Sequence, residues 1–107
     1  LIADDGAHGA WIMGKPVDGA KDMNLLDLAV TLTADGQTVR EGKGGNVEGG
    51  PFAVTAWLVN ELAKHGQSIK AGDYVTTGST TPPYPAQPNE TIVADYGKLG
   101  TVTVDFT

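Results

Sequence analysis

From Leu28 to Thr33 the chain alternates, with Leu28, Val30 and Leu32 apolar and Ala29, Thr31 and Thr33 small or hydroxylated. A period of two puts alternate side chains on opposite faces of a strand, so one face here is expected to be buried. Asp35-Gly36 follows, a pair able to take the positive φ angles of a tight two-residue turn, and 28–42 is expected to be a hairpin. The same alternation closes the chain: Val102, Val104 and Phe106 are expected inward, against Thr101, Thr103 and Asp105. "HGAWIMG", 8–14, is short, apolar and ended by Gly14, and reads as a strand. "AGD", 71–73, turns into "YVTTG", and "PNE", 88–90, turns into "TIVADYG". The two share a form (small residue or proline, Gly or Asn, acid, strand), a weak echo and not a repeat architecture.

One stretch changes period. Val54, Trp57, Leu58 and Leu62 fall at i, i+3, i+4 and i+8, an apolar stripe on a helix, with Trp57 expected in the core. Pro51 suits a first helical position and Gly66 the residue past the end, so the helix is expected over 51–65. Lys64 and His65 sit in its last turn, favourable against the helix dipole. The chain is thus α+β and mostly β, with one main helix, and its 107 residues are expected as a single domain. Fifteen glycines, about twice the usual share, call for many tight turns, as in a compact rolled sheet.

Composition narrows the partners. Thirteen acidic and seven scattered basic residues give a net charge of −6, which repels a phosphate backbone and argues against nucleic acid. No apolar run approaches the length of a membrane span, and no secretory signal opens the chain. With no cysteine there is no disulfide or thiolate metal site, and the absence fits a reducing cytoplasm. Residue 1 is Leu and not Met, so the chain is expected to be processed, trimmed or a piece of something longer.

Three stretches have chemistry to offer. "IADDGAHG", 2–9, puts Asp4, Asp5 and His8 together: a carboxylate beside an imidazole can move a proton or hold a water, and a charged terminus would look the same. "EGKGGNVEGG", 41–50, lacks the order of a phosphate loop; Gly49-Gly50-Pro51 could offer N–H groups to an anion, or simply turn into the helix. "TTGSTTPPYP", 76–85, offers the hydroxyls of Ser79, Thr80 and Thr81 and the amide of Gly78, which can grip a carboxylate or carbonyl oxygen. On composition alone this stretch is a proline-stiffened surface loop. His65 reads as a helix-end residue, and no E-x-E carboxylate pair occurs.

Together, "IADDGAHGAWIMG", the G-x-P-x-x-x-x-x-W-L entry at 49–58, the G-D-x-x-x-x-G-S stretch at 72–79 and the closing D-x-G-x-L-G-x-V-x-V-x-F at 95–106 resemble the C-terminal half of a 2-keto-4-pentenoate hydratase, a branch of the fumarylacetoacetate hydrolase superfamily. Each motif alone is weak; four in order along the whole chain are strong. The resemblance implies a rolled mixed sheet of the fumarylacetoacetate hydrolase C-terminal type. It also implies a divalent-metal lyase of aromatic-compound breakdown that adds water to a 2-hydroxypenta-2,4-dienoate, giving a 4-hydroxy-2-oxo acid. Magnesium or manganese polarises the 2-oxo acid end in such enzymes.

The same resemblance implies site residues: Asp5 as the catalytic acid or base, and Asp4, His8, Gly78, Ser79 and Thr80 toward the substrate. The family usually reads Asp-Asn where this chain has Asp4-Asp5, and His8 stands where a small residue is common. Family members are longer and keep their metal-binding glutamates in the first half. No metal ligand is expected in this chain, and no tight metal binding by it alone. The expected partners are a small 2-oxo or 2-hydroxydienoic acid, the N-terminal half or a second chain, and further copies in a homo-oligomer, since half of a rolled sheet exposes apolar surface. Decarboxylases of 2-oxo-3-hexenedioate share the motifs and are the alternative activity. A non-catalytic β module for binding or assembly is the alternative of another class.

Overall fold

Asp35 and Gly36 take φ angles of 49° and 85°, and the hairpin forms around them. The computed structural model describes residues 10–107. Strand β1, Ala29–Ala34, pairs antiparallel with β2, Gln37–Lys43. The register shifts between Leu32 and Thr33: Thr33 faces Thr38 and Leu32 faces Arg40, so Val39 is an extra residue that bends β2. Strand β3, Thr91–Asp95, lies along the other side of β1, and β4, Thr101–Asp105, along β3. The sheet order is β2-β1-β3-β4, with every pair antiparallel. The expected mixed sheet is therefore corrected: every ladder among the described residues is antiparallel, and no crossover helix joins parallel neighbours.

Register gives the sheet one apolar face. Ala34 faces Ile92, which faces Val104; Leu32 faces Ala94, which faces Val102. Val30, Ala34, Ile92 and, from outside the sheet, Val47 form the buried core, Val30 being only 3% exposed. The alternation expected in β1 is present, with Val30 buried and Leu28 and Leu32 half-buried. In β4, Val102 and Val104 are half-buried, but Phe106 lies past the strand and is 42% exposed, contrary to the expected inward position. Its N–H still donates to the carbonyl of Glu90.

Helix α1, Pro51–Lys64, starts at its proline after Gly50, which has a φ of 90°. It ends one residue before the expected position. The N–H of Gly66 donates to the carbonyl of Ala63 and that of Gln67 to Leu62, with Gly66 left-handed at φ 71°. This pair of bonds satisfies two carbonyls that the helix end would otherwise orphan. The stripe is only partly covered: Val54, Leu58 and Leu62 are half-buried, no helix residue is buried, and Trp57 is 63% exposed. The expectation of a core Trp57 fails because period locates an apolar face and does not supply what covers it.

Two expected strands are also corrected. Residues 10–14 of "HGAWIMG" join no ladder; Trp11, Ile12 and Met13 are exposed, and Trp11 meets the ring of Tyr74 edge-on at 5.0 Å. "YVTTG" runs without ladder bonds after a turn in which Gly72 takes a φ of 94°. Both have strand-like composition, yet a strand also needs a neighbour's N–H and C=O groups.

Candidate functional site

Beyond β2 the chain makes a short 3₁₀ turn, Gly44–Asn46, then Val47, Glu48 and the glycine pair that enters α1. The N–H of Gly50 is taken by the carbonyl of Val47 at 2.7 Å, and Pro51 has no N–H, so this stretch serves as a turn into the helix. Opposite it runs Thr77–Thr80. Two features hold that segment in place. Gly42 has no side chain, and the space a Cβ would fill is taken by the carbonyl of Thr80. The same carbonyl accepts a 2.8 Å hydrogen bond from the Asn46 amide. Gly78, at φ 124°, lets the backbone bend past the Val47 methyls in a conformation that side chains rarely adopt.

Between the two segments lies an open cleft of about 580 Å³. Val47, Ala53, Val54 and Trp57 give it an apolar wall; Asn46, Glu48, Thr77 and Ser79 bring polar groups. Of the residues singled out in the sequence, Gly78 and Ser79 are at this cleft. Thr80 turns to the other side of the segment, onto a second cavity of about 340 Å³ with Leu28, Val30, Trp11 and Tyr96. Asp4, Asp5 and His8 lie outside the described residues. His65 is at the helix end, its Nε2 4.0 Å from Glu61 Oε1. Sequence reasoning missed Asn46, Glu48 and Trp57 as lining residues; four glycines around Asn46 and Glu48 made that stretch read only as irregular.

The prolines have a separate role. The hydroxyl of Tyr84 donates to the Glu90 carboxylate, with oxygens at 2.9 and 3.1 Å. Arg40 of β2 donates from Nε to the Pro83 carbonyl at 3.2 Å and sets its guanidinium 5.3 Å from the centre of the Tyr84 ring. These contacts pin the proline run to the hairpin and fix the far end of the segment that carries Ser79. The Glu90 hydrogen bond, with desolvation behind it, pushes the Tyr84 phenol up from its ordinary value. A raised folded value means that the bond's contribution to stability is complete below the unfolded phenol's pKa, about 10, and is lost as pH rises through the folded value. UV-difference titration should show one tyrosine ionising late, absent in Tyr84→Phe. Ordinary titration of every tyrosine would refute the contact.

Among the described residues, no three His, Asp or Glu side chains come together as a metal-binding group. Glu48 alone does not fit a hard divalent cation, which gathers several oxygen ligands. No helix among the described residues is long and apolar enough to cross a membrane.

No protein-family model matches the chain. Over 106 residues, 99% of the chain, it is 32% identical to the 4-oxalocrotonate decarboxylase of Pseudomonas putida. It is 30% identical over the same length to the 2-hydroxyhexa-2,4-dienoate hydratase of Comamonas testosteroni and to the 2-keto-4-pentenoate hydratase of Burkholderia vietnamiensis. In each case it spans 40% of the relative's length. The fold matches solved structures of the 4-oxalocrotonate decarboxylase from Pseudomonas putida G7, one complexed with magnesium and adipate and one with calcium and acetate. Both have a TM-score of 0.74 and 34% identity, and cover 81% of this chain. The chain covers only 33% of the magnesium and adipate complex and 34% of the calcium and acetate complex. The resemblance to 2-keto-4-pentenoate hydratases read from the motifs is thus borne out along the chain.

Proposed function

We propose that this chain is the C-terminal, substrate-gripping part of a metal-dependent lyase of the fumarylacetoacetate hydrolase superfamily. It hydrates 2-hydroxypenta-2,4-dienoate-type acids to 4-hydroxy-2-oxo acids in aromatic-compound degradation, in the cytoplasm, as an oligomer. The observation that carries this reading is similarity over 99% of the chain to enzymes with hydratase names. The cleft beside Gly78 and Ser79 supports it. The relatives' magnesium and calcium complexes support a divalent cation in the complete enzyme; on this reading its ligands come from the N-terminal part. In that enzyme the cation polarises the 2-oxo acid. This chain's share is the Ser79 hydroxyl, donating to an oxygen of the acid, the apolar wall against the tail, and the proton carrier Asp5, flanked by Asp4 and His8. A decarboxylase is the second reading, favoured by the 32% identity to one and by the matched structures.

A hybrid tests both readings. The chain replaces the matching 106 residues of the Burkholderia hydratase, which it meets at 30% identity. Magnesium-dependent hydration of 2-hydroxypenta-2,4-dienoate is the expected result. Ser79→Ala removes one neutral hydrogen bond, worth about 0.5–1.5 kcal/mol, so a loss of up to about tenfold is expected. Decarboxylation without hydration selects the second reading. A folded hybrid with neither activity, beside an active parent, refutes both.

A further inference from the structure

Among the described residues lining the cleft one is charged, and it is negative: Glu48 is the only acid there, and none is a Lys, Arg or His. Glu48 is exposed on the turn before α1, across from Ser79 on the facing segment. Asn46, two residues before it on the same wall, is neutral and spends an amide N–H on the Thr80 carbonyl. The rest of the wall is Val47, Ala53, Val54 and the Trp57 indole.

Resting on the lyase reading, we infer that Glu48 determines specificity: it makes the cleft accept acids with an uncharged tail and reject those whose tail ends in a second carboxylate. An alkenyl or aryl tail gains by covering Val54 and the exposed Trp57. A tail carboxylate there loses water, finds no cation among the described lining residues and meets an acid. The cleft is open, so water lies between the charges. Two like charges about 4 Å apart in a water-like medium repel enough to shift a binding constant roughly fivefold, and more where protein displaces water. Such a discrimination works by repulsion as much as by attraction.

The hybrid enzyme supplies the test. Its kcat/KM is measured with 2-hydroxypenta-2,4-dienoate and with the dicarboxylate 2-hydroxyhexa-2,4-dienedioate, at low and high salt. Glu48→Gln keeps the side-chain shape and removes the charge; Glu48→Lys inverts it. The expected ratio of monocarboxylate to dicarboxylate falls about tenfold in Glu48→Gln and further in Glu48→Lys. The wild-type preference also shrinks as salt rises, because exposed charges are screened. A residue that merely supports the turn would show neither the graded response nor the salt dependence. An unchanged ratio in both variants, with the monocarboxylate still hydrated, overturns the inference and leaves the lyase reading standing. A folded hybrid inactive on both acids, beside an active parent, overturns the lyase reading and this assignment with it.

Discussion

Alanine at Gly42 or Gly44 is expected to lower stability by about 3 kcal/mol, the upper part of the range for overpacking. At each position a Cβ would land on backbone, not on a side chain that can swing away. At Gly42 it meets the Thr80 carbonyl, with the carbonyl carbon at 2.8 Å; at Gly44 it meets the Leu25 carbonyl, also with its carbon at 2.8 Å. Gly44 is buried, and its N–H donates to Leu28, so the turn cannot simply move out. A domain of this size has about 5–15 kcal/mol in total. Four buried hydrophobic side chains among the described residues put this one toward the low end. The melting temperature should fall by about 12–24 °C, at 4–8 °C per kcal/mol. Gly36→Ala is the control: its φ is 85° and nothing lies within 4 Å, so only backbone strain is added. Circular-dichroism melts decide the matter. If Gly42→Ala melts no lower than Gly36→Ala, the Thr80 carbonyl does not rest on β2, and the cleft wall is not held as described.

Local chemistry made part of this fold legible. Asp35-Gly36 needs no tertiary contact to favour its turn, and Pro51 and Gly66 bracket the helix by their own backbone limits. The two echoing turns also behave alike: Gly72 and Asn89 are both left-handed, at φ 94° and 67°. In β1 and β4 alternation and a neighbour coincide, so pattern became strand.

What failed depended on a partner that residue type does not name. "YVTTG" has the composition of a strand but no ladder, and Trp57 has the right period but no cover. Trp11, Phe52, Trp57 and Tyr74 are all exposed, and the chain spans 40% of the length of the relatives it matches. At the cleft, Ser79 was flagged by motif, whereas Glu48 was hidden. A single acid between glycines signals nothing until the facing segment is folded against it.

Asp5→Ala in the hybrid enzyme is expected to lower hydration about 10²–10⁴-fold, the range contributed by a positioned proton carrier. Asp5 stands 74 positions before Ser79 (79 less 5), outside the described residues, and its assignment comes from the motif it sits in. Adjacent acids on an extended segment point to opposite faces, so Asp4 and Asp5 should not substitute for one another. Asp5→Asn separates proton transfer from positioning. It restores the amide that the resembling enzymes usually have and removes the titrating group. If Asp5 carries the proton, Asp5→Asn loses nearly as much as Asp5→Ala, and the limb of the pH–rate profile due to this carboxyl disappears from both. Hydration by Asp5→Asn at or above the wild-type rate would mean that Asp5 only positions the acid, as an amide does. Wild-type rates in Asp5→Ala and Asp5→Asn alike would remove the residue from the site. The proton would then have to come from a group in the N-terminal part, and this chain's contribution would reduce to grip and tail selection at Ser79, Trp57 and Glu48.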